Sequence, residues 1–111
     1  MSYYTPDRWV ILEITHEGQS FMKVFSGNYG GYGGSNTWKL SSVIEKIFTD
    51  EGFIEVLCAS GSTYKLHNGC YGMSGYMNSI FSHWMENDTS KQMINILDKY
   101  DRTDSPHKAN A

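Results

Sequence analysis

The chain has 111 residues, a formal net charge of -3 and a hydrophobic fraction of 40%, which together suit a single globular domain with one core. The mildly negative charge argues against binding to a nucleic-acid backbone, because such proteins carry a basic patch. No apolar run is long enough to span a membrane, the N-terminus lacks the features of a signal peptide, and two cysteines do not make a secreted disulfide scaffold. We therefore expect a soluble cytoplasmic protein that binds neither nucleic acid nor membrane.

Two alternating segments predict a first β-hairpin. Residues 9–15 form the outgoing strand, and only one of its two alternating sets carries a charge, at Glu13. We therefore expect the other set to face the core. This set consists of Val10, Leu12 and Ile14. Residues 16–19 form a turn in which Gly18 can adopt a positive φ, and residues 21–25 form the return strand.

Three further strands are predicted later in the chain. Residues 43–49, 53–59 and 63–67 alternate in the same way and are separated by short turn signals. One side of the first carries Ile44, Lys46 and Phe48, and one face of the second carries Ile54, Val56 and Cys58. Turns this short cannot hold a crossover helix, so the strands must pair antiparallel. The sequence predicts a five-stranded antiparallel β-meander.

The apolar spacing changes to a helical period after the fifth strand. One stripe, with Ser74 as its N-cap, consists of Met77, Ile80, Phe81, Trp84 and Met85. Thr89 and Gln92 match a capping box, and a second stripe follows at Met93, Ile96, Leu97 and Tyr100. We expect an α+β fold in which two C-terminal helices pack on one face of the meander. Residues 1–102 form this single domain, and residues 103–111 are expected to be a disordered tail.

A glycine- and tyrosine-rich segment, residues 26–36, joins two strands and carries five of the eleven glycines. Long connections are commonly functional, since glycine lets backbone amides approach a ligand and tyrosine stacks on planar groups. The segment lacks the Gly-Lys-Ser/Thr of a P-loop and does not enter a helix as a dinucleotide fingerprint does. We predict a binding surface for a protein or a small nucleotide, made of Asn28, Tyr29, Tyr32, Ser35, Asn36, Trp38 and Lys39. A nucleotide phosphate is expected to face Lys39 or Arg8.

Four side chains are potential metal ligands or catalytic groups: Cys58, His67, Cys70 and His83. Their spacing lacks the paired cysteines of zinc fingers, so we expect no metal site and no cofactor. A thiol nucleophile at Cys70, with His67 or His83 as its base, is an alternative. Nothing in the sequence identifies a third group that orients the histidine, and the acidic residues show no catalytic pairing. We expect a binding protein, with a small Cys/His-dependent hydrolase as the alternative.

Two motifs occur together in this chain. Residues 24–42 include Tyr29-Gly30-Gly31-Tyr32 and Trp38-Lys39-Leu40-Ser41-Ser42, and residues 64–72 end in Cys70-Tyr71-Gly72. Over roughly residues 9–86 the chain resembles a family of small uncharacterised proteins of tailed bacteriophages, although Val43 replaces an expected Gly. The resemblance implies no particular chemistry. It implies an accessory protein of the host cytoplasm, active in host takeover or counter-defence, that blocks a host protein or sequesters a nucleotide signal.

Assembly is predicted from the exposed edges of an antiparallel sheet. We expect such an edge at residues 9–15 or at the strand that follows the glycine-rich segment. The aromatic fraction is 14%, which favours association through large side chains. We expect a homodimer formed by edge pairing or by sheet faces.

Overall fold

Residues 2–29, 36–87 and 93–101 are described by a computed structural model of the protein. They form eight β-strands and one α-helix: β1 (Tyr3–Tyr4), β2 (Arg8–His16), β3 (Gln19–Asn28), β4 (Thr37–Leu40), β5 (Ile44–Thr49), β6 (Phe53–Cys58), β7 (Thr63–His67), α1 (Gly75–Asn87) and β8 (Met93–Ile96). Short 3-10 turns lie at Asn68–Cys70 and Asp98–Tyr100.

The strands form two four-stranded sheets within these ranges. Sheet A has the order β1-β7-β6-β5, and sheet B has the order β4-β3-β2-β8. Neighbouring strands are antiparallel except β1 and β7, which are parallel. The predicted α+β class is confirmed, but a single five-stranded meander is wrong. Residues 37–40 form a separate strand on β3, and the chain then crosses from sheet B to sheet A before β5.

Sheet B lies between sheet A and α1, which gives the molecule three layers. Its inner face packs on sheet A through a buried cluster of Trp9, Ile11, Val24, Ile44, Ile54, Val56, Cys58, Tyr64 and Leu66. Its outer face packs on α1 through Val10, Leu12, Phe25 and Met77. The expectation that only one set of β2 side chains faces the core is therefore wrong. Trp9 and Ile11 of the other set are fully buried, and Trp9 Nε1 donates a 2.7 Å hydrogen bond to the His67 carbonyl.

β8 occupies residues predicted to form a second helix. It pairs antiparallel with β2, and Ile94 and Ile96 lie on the outer face of sheet B. The prediction of a helix is wrong because β2 offers an open edge whose backbone groups satisfy those of β8. For the same reason β2 is a central strand, so the edge predicted at residues 9–15 is wrong. The alternative edge, at the strand that follows the glycine-rich segment, is confirmed, since β4 and β5 are both edge strands. The predicted capping box, Thr89 and Gln92, and the predicted tail, residues 103–111, lie outside the described residues.

The predicted turn of the first hairpin is confirmed. His16 pairs with Gln19, and the two residues between them, Glu17 and Gly18, have φ values of 51° and 80°. Two-residue hairpin loops favour positive φ at these positions. The shared buried face of β6 is confirmed as well; it consists of Ile54, Val56 and Cys58.

A β-bulge in β5 changes the faces predicted for that strand. Its register with β6 shifts between Ile44 and Lys46, which leaves Glu45 as the extra residue. Ile47 therefore joins Ile44 against the core between the sheets, while Phe48 is exposed. The prediction that Ile44, Lys46 and Phe48 share one side is wrong, since the bulge reverses the alternation.

α1 confirms the first predicted helix and its cap. The Ser74 hydroxyl accepts a 3.1 Å hydrogen bond from the Met77 amide, as an N-cap residue does. Ile80, Phe81 and Trp84 pack on sheet B, whereas Met85 is exposed. In the described part of the chain, no helix is both long and apolar enough to cross a membrane.

Candidate binding groove

Gly27 determines how closely α1 approaches sheet B. A Cβ at this position would lie 2.7 Å from Sδ and 2.9 Å from Cγ of Met77, so glycine lets the fully buried Met77 rest on the backbone of β3. α1 has 13 residues and β3 has 10, which correspond to lengths of about 20 Å and about 33 Å. α1 leaves part of the outer face of sheet B uncovered, since Phe21 on that face is 38% exposed.

The uncovered part of that face forms a groove of about 710 Å³ beside α1. Ile14 pairs with both Phe21 and Ile94, so these three side chains lie side by side on three neighbouring strands. Leu12 and Leu40 continue the apolar surface. Ligand sites commonly have volumes of about 300–1,000 Å³. The groove is therefore large enough for a small molecule or for several side chains of a bound peptide.

Two tryptophans form an aromatic wall of the groove. Trp38 on β4 and Trp84 on α1 meet edge to face, with ring centroids 5.4 Å apart. Both contact Phe25, at centroid distances of 6.0 Å and 4.9 Å. Trp38 is 40% exposed and Phe21 is 38% exposed. Exposed aromatic side chains in a concave surface are typical of binding sites, because they offer large contact areas with few rotatable bonds.

The ionisable side chains that line the groove are all basic: His16, Lys23 and His83. Lys23 is half-buried and pairs with Leu12 across the hairpin. Among the described residues, no carboxylate forms an ion pair with Lys23. Nε2 of His16 lies 3.7 Å from Oε1 of the exposed Glu17 in the turn. The groove thus combines apolar walls with basic groups, although the chain as a whole is acidic.

A smaller recess of about 150 Å³ lies at the inner side of β4. Nζ of Lys39 donates a 3.3 Å hydrogen bond to the Tyr4 hydroxyl and lies 4.5 Å from the centroid of its ring. Hydrogen bonds with Ser2 and Lys39 lower the pKa of Tyr4 from its ordinary value. Tyr4 also stacks on Tyr64 at 4.9 Å. These contacts connect β1 to β4, and the recess is smaller than typical small-molecule sites.

Three of the residues predicted from the glycine-rich segment line the recess together: Asn28, Trp38 and Lys39. Trp38 also lines the groove, whereas Lys39, the next residue of β4, points to the opposite face of sheet B and lines the recess alone. Asn28 lines the recess, and its Oδ1 accepts a 3.1 Å hydrogen bond from the Asp7 amide. The Asp7 carboxylate accepts a 2.8 Å hydrogen bond from the amide of the exposed Tyr29. Asn36 directly precedes β4, and Tyr32 and Ser35 lie outside the described residues.

The cysteines and histidines are distributed over different parts of the molecule. His67 lies on the outer face of sheet A, where its ring is 6.1 Å from that of Phe53. Cys70 packs against the core between the sheets. Cys58 is buried, and burial raises the pKa of its thiol. Within the described ranges, no group of three or more His, Cys, Asp or Glu side chains is placed to hold a metal ion.

The groove residues of the first hairpin were not identified as a site by the sequence pattern. The sequence pattern predicts that Ile14 faces the core and that Phe21 lies in the return strand of the hairpin, and it assigns no function to either residue. One signal was present, because residues 9–14 of β2 are all apolar except Glu13, so both alternating sets are apolar there. Such a strand is buried on both faces and needs a cover on each side. A single short helix leaves part of that requirement unmet.

Comparison of the chain with protein-family models, with curated proteins and with solved structures gives no match. The function is therefore inferred from the geometry and chemistry of the groove.

Proposed function

We propose that this protein acts by non-catalytic binding and that the groove beside α1 is its binding surface for a partner protein. The observation that carries the proposal is the continuous apolar surface of Ile14, Phe21 and Ile94, which α1 leaves open. Covering apolar surface contributes about 25 cal/mol per Å². Trp38 adds a large, partly exposed aromatic ring of the kind that often dominates binding energy.

The resemblance to bacteriophage proteins supports a role in host takeover or counter-defence. In this proposal the protein works in the host cytoplasm and blocks a host protein, without a cofactor and without binding nucleic acid or membrane. The net charge of -3 supports the exclusion of a nucleic-acid backbone as a partner.

Two matched phenylalanines test the proposal. Phe21 lies in the groove on sheet B and is 38% exposed, while Phe48 lies on sheet A and is 55% exposed. We expect the wild-type protein and the Phe48→Ala variant to capture the same host protein from a bacterial lysate. Phe21→Ala should weaken that binding by about 30-fold, as expected for a hot-spot side chain. Equal binding by both variants, or selective loss with Phe48→Ala, would place the binding surface elsewhere.

Sequestration of a small nucleotide signal is the second candidate function. It is favoured by the presence of Trp38, Trp84 and Lys23 in one groove, since bases stack on aromatic rings and phosphates pair with ammonium groups. The phosphate partners expected from the sequence lie elsewhere: Lys39 borders the small recess, and Arg8 lines neither cavity. Thermal-shift measurements with mononucleotides and cyclic dinucleotides test this candidate. Stabilisation of the wild type but not of Lys23→Ala would support it.

Catalysis by Cys70 and His67 has less support, because His67 lies on the outer face of sheet A while Cys70 packs against the core. We expect Cys70→Ser to leave the biological effect of the protein unchanged. If this substitution abolished the effect while thermal unfolding stayed normal, a Cys-dependent reaction would replace the binding proposal.

A further inference from the structure

The groove also indicates the chemistry of its partner. We infer that its occupant is a short segment of a partner protein in which an apolar or aromatic side chain is flanked by Asp or Glu. This inference rests on the proposed binding function and adds the class of partner. It follows from the apolar walls, the position of Lys23 and the width of the groove.

The apolar part of the segment is required by the walls. Ile14, Phe21 and Ile94 form a continuous floor, and Trp38 with Trp84 stands beside it. A polar side chain placed here would lose its hydrogen bonds to water and gain few in return. A large apolar side chain instead removes several exposed hydrocarbon surfaces from water at once.

The acidic part of the segment is required by Lys23. Lys23 lines the groove together with apolar residues, is half-buried as a residue, and has no carboxylate partner among the described residues. An uncharged segment that covered Lys23 would strip water from the charge without replacing it. A carboxylate supplies a charge-assisted hydrogen bond at that place. None of the described residues that line the groove is acidic, so no carboxylate of the lining repels an acidic segment.

The width of the groove favours a peptide segment over a compact ligand. Its lining residues come from all four strands of sheet B, from Trp38 on β4 to Ile94 on β8. Four strands at a spacing of about 4.8 Å span about 14 Å. An extended peptide covers that distance with about four residues. A segment of this length can place one apolar side chain and one neighbouring carboxylate in the groove together.

Selection from a random-peptide display library against the immobilised full-length protein tests the inference. We expect enriched peptides to contain Trp, Phe or Leu next to Asp or Glu, and to bind at least about tenfold more weakly when the carboxylate is replaced by an amide. Lys23→Glu should reverse the preference toward Lys or Arg, and Lys23→Gln should remove it. Lys46→Glu makes the same charge change at an exposed position of β5 in sheet A and should leave the preference unchanged. Circular dichroism of each variant verifies the fold.

The outcomes separate the partner class from the binding function. Apolar peptides without a carboxylate, whose binding is lost in Trp38→Ala, would overturn the acidic partner and leave the groove as the site. Peptides that bind Trp38→Ala and Lys23→Glu with the same affinity as the wild type would overturn both the acidic partner and the groove as the binding site. Failure to enrich any peptide would overturn the inference, and stabilisation by nucleotides in that case would favour the second candidate function.

Discussion

The two halves of the outer face of sheet B have similar sequences but different environments. Phe25 and Phe21 lie on the same strand, four residues apart, and point to the same side, opposite Val10 and Ile14. Phe25 is fully buried beneath α1, whereas Phe21 is partly exposed in the groove. An apolar strand residue therefore belongs to the core or to a binding surface according to whether another element covers it.

The residue types along the outer face of sheet B differ between the covered half and the open half. The covered half contains Gly27, whose missing side chain admits Met77. The open half contains Lys23 and His16 among its apolar residues. A lysine beneath the helix would be buried without a charge partner, at a high cost. The position of Lys23 on β3 thus shows where the cover provided by α1 ends.

The largest expected difference between the halves is in stability. Phe25→Ala removes a fully buried aromatic ring and should cost about 3–5 kcal/mol of unfolding free energy. Phe21→Ala, on the same strand and face, should cost about 1 kcal/mol or less, because its ring already contacts water. Urea denaturation measures both. Equal losses would show that the groove half is as much a part of the core as the covered half.

A smaller effect is expected at the glycine that fits the covered half to the helix. Gly27→Ala places a methyl group against Met77 and should cost about 1–3 kcal/mol by overpacking. Gly69→Ala is the control, since a Cβ there has no atom within 4 Å, and its effect should stay below about 0.5 kcal/mol. The same denaturation experiment compares them. An unchanged unfolding free energy for Gly27→Ala would mean that Met77 can move aside without cost and that α1 does not depend on glycine for its packing on sheet B.

Alkaline pH tests a third environment, that of two tyrosines at the core between the sheets, of which Tyr64 is buried and Tyr71 is partly buried. Burial is the main cause that raises the pKa of Tyr64 and of Tyr71 to about 12. In the unfolded chain these groups ionise near their ordinary value of 10.0. Their contribution to stability is therefore complete below about pH 10 and is lost as the pH rises toward about 12. The urea concentration at the denaturation midpoint should fall over this pH interval, and it should fall less steeply for the Tyr71→Phe variant. A flat profile would contradict the burial of both rings.

The smallest expected effect concerns assembly at the end of the open half. We propose a homodimer through β8, which among the described residues is an edge strand without a charged residue. The edges β4 and β5 carry Lys39 and the pair Glu45 and Lys46, and the uncharged edge β1 has only two residues. Pairing through β8 would extend the groove floor beyond Ile94. Met93 is 62% exposed, so Met93→Lys should weaken the dimer by about tenfold with little change in monomer stability. Light scattering over a concentration series measures this. A wild-type monomer at tens of micromolar would rule the dimer out.

Five of the seven site residues predicted from the sequence lie in the described part of the chain, and of these five only Trp38 lines the groove. Trp38 and Lys39 are adjacent in the chain and were grouped together for that reason. Their strand places them on opposite faces, so Trp38 reaches the groove while Lys39 contacts Tyr4, and the two side chains share only the small recess. Grouping by proximity in sequence holds for a loop, where neighbouring side chains can converge, but not for a strand.

The sequence by itself determined the elements whose signals are local. The hairpin turn at Glu17 and Gly18, the alternation of β6, and the start of α1 at Ser74 each depend on the conformation of a few neighbouring residues. Only the tertiary structure decided how these elements are covered. Residues 93–96 match a helical stripe and a strand equally well in so short a window, and the open edge of β2 selected the strand. The groove also depends on the tertiary structure. Periodicity identifies which residues are apolar and share a face, but it does not show whether α1 or a second sheet covers them.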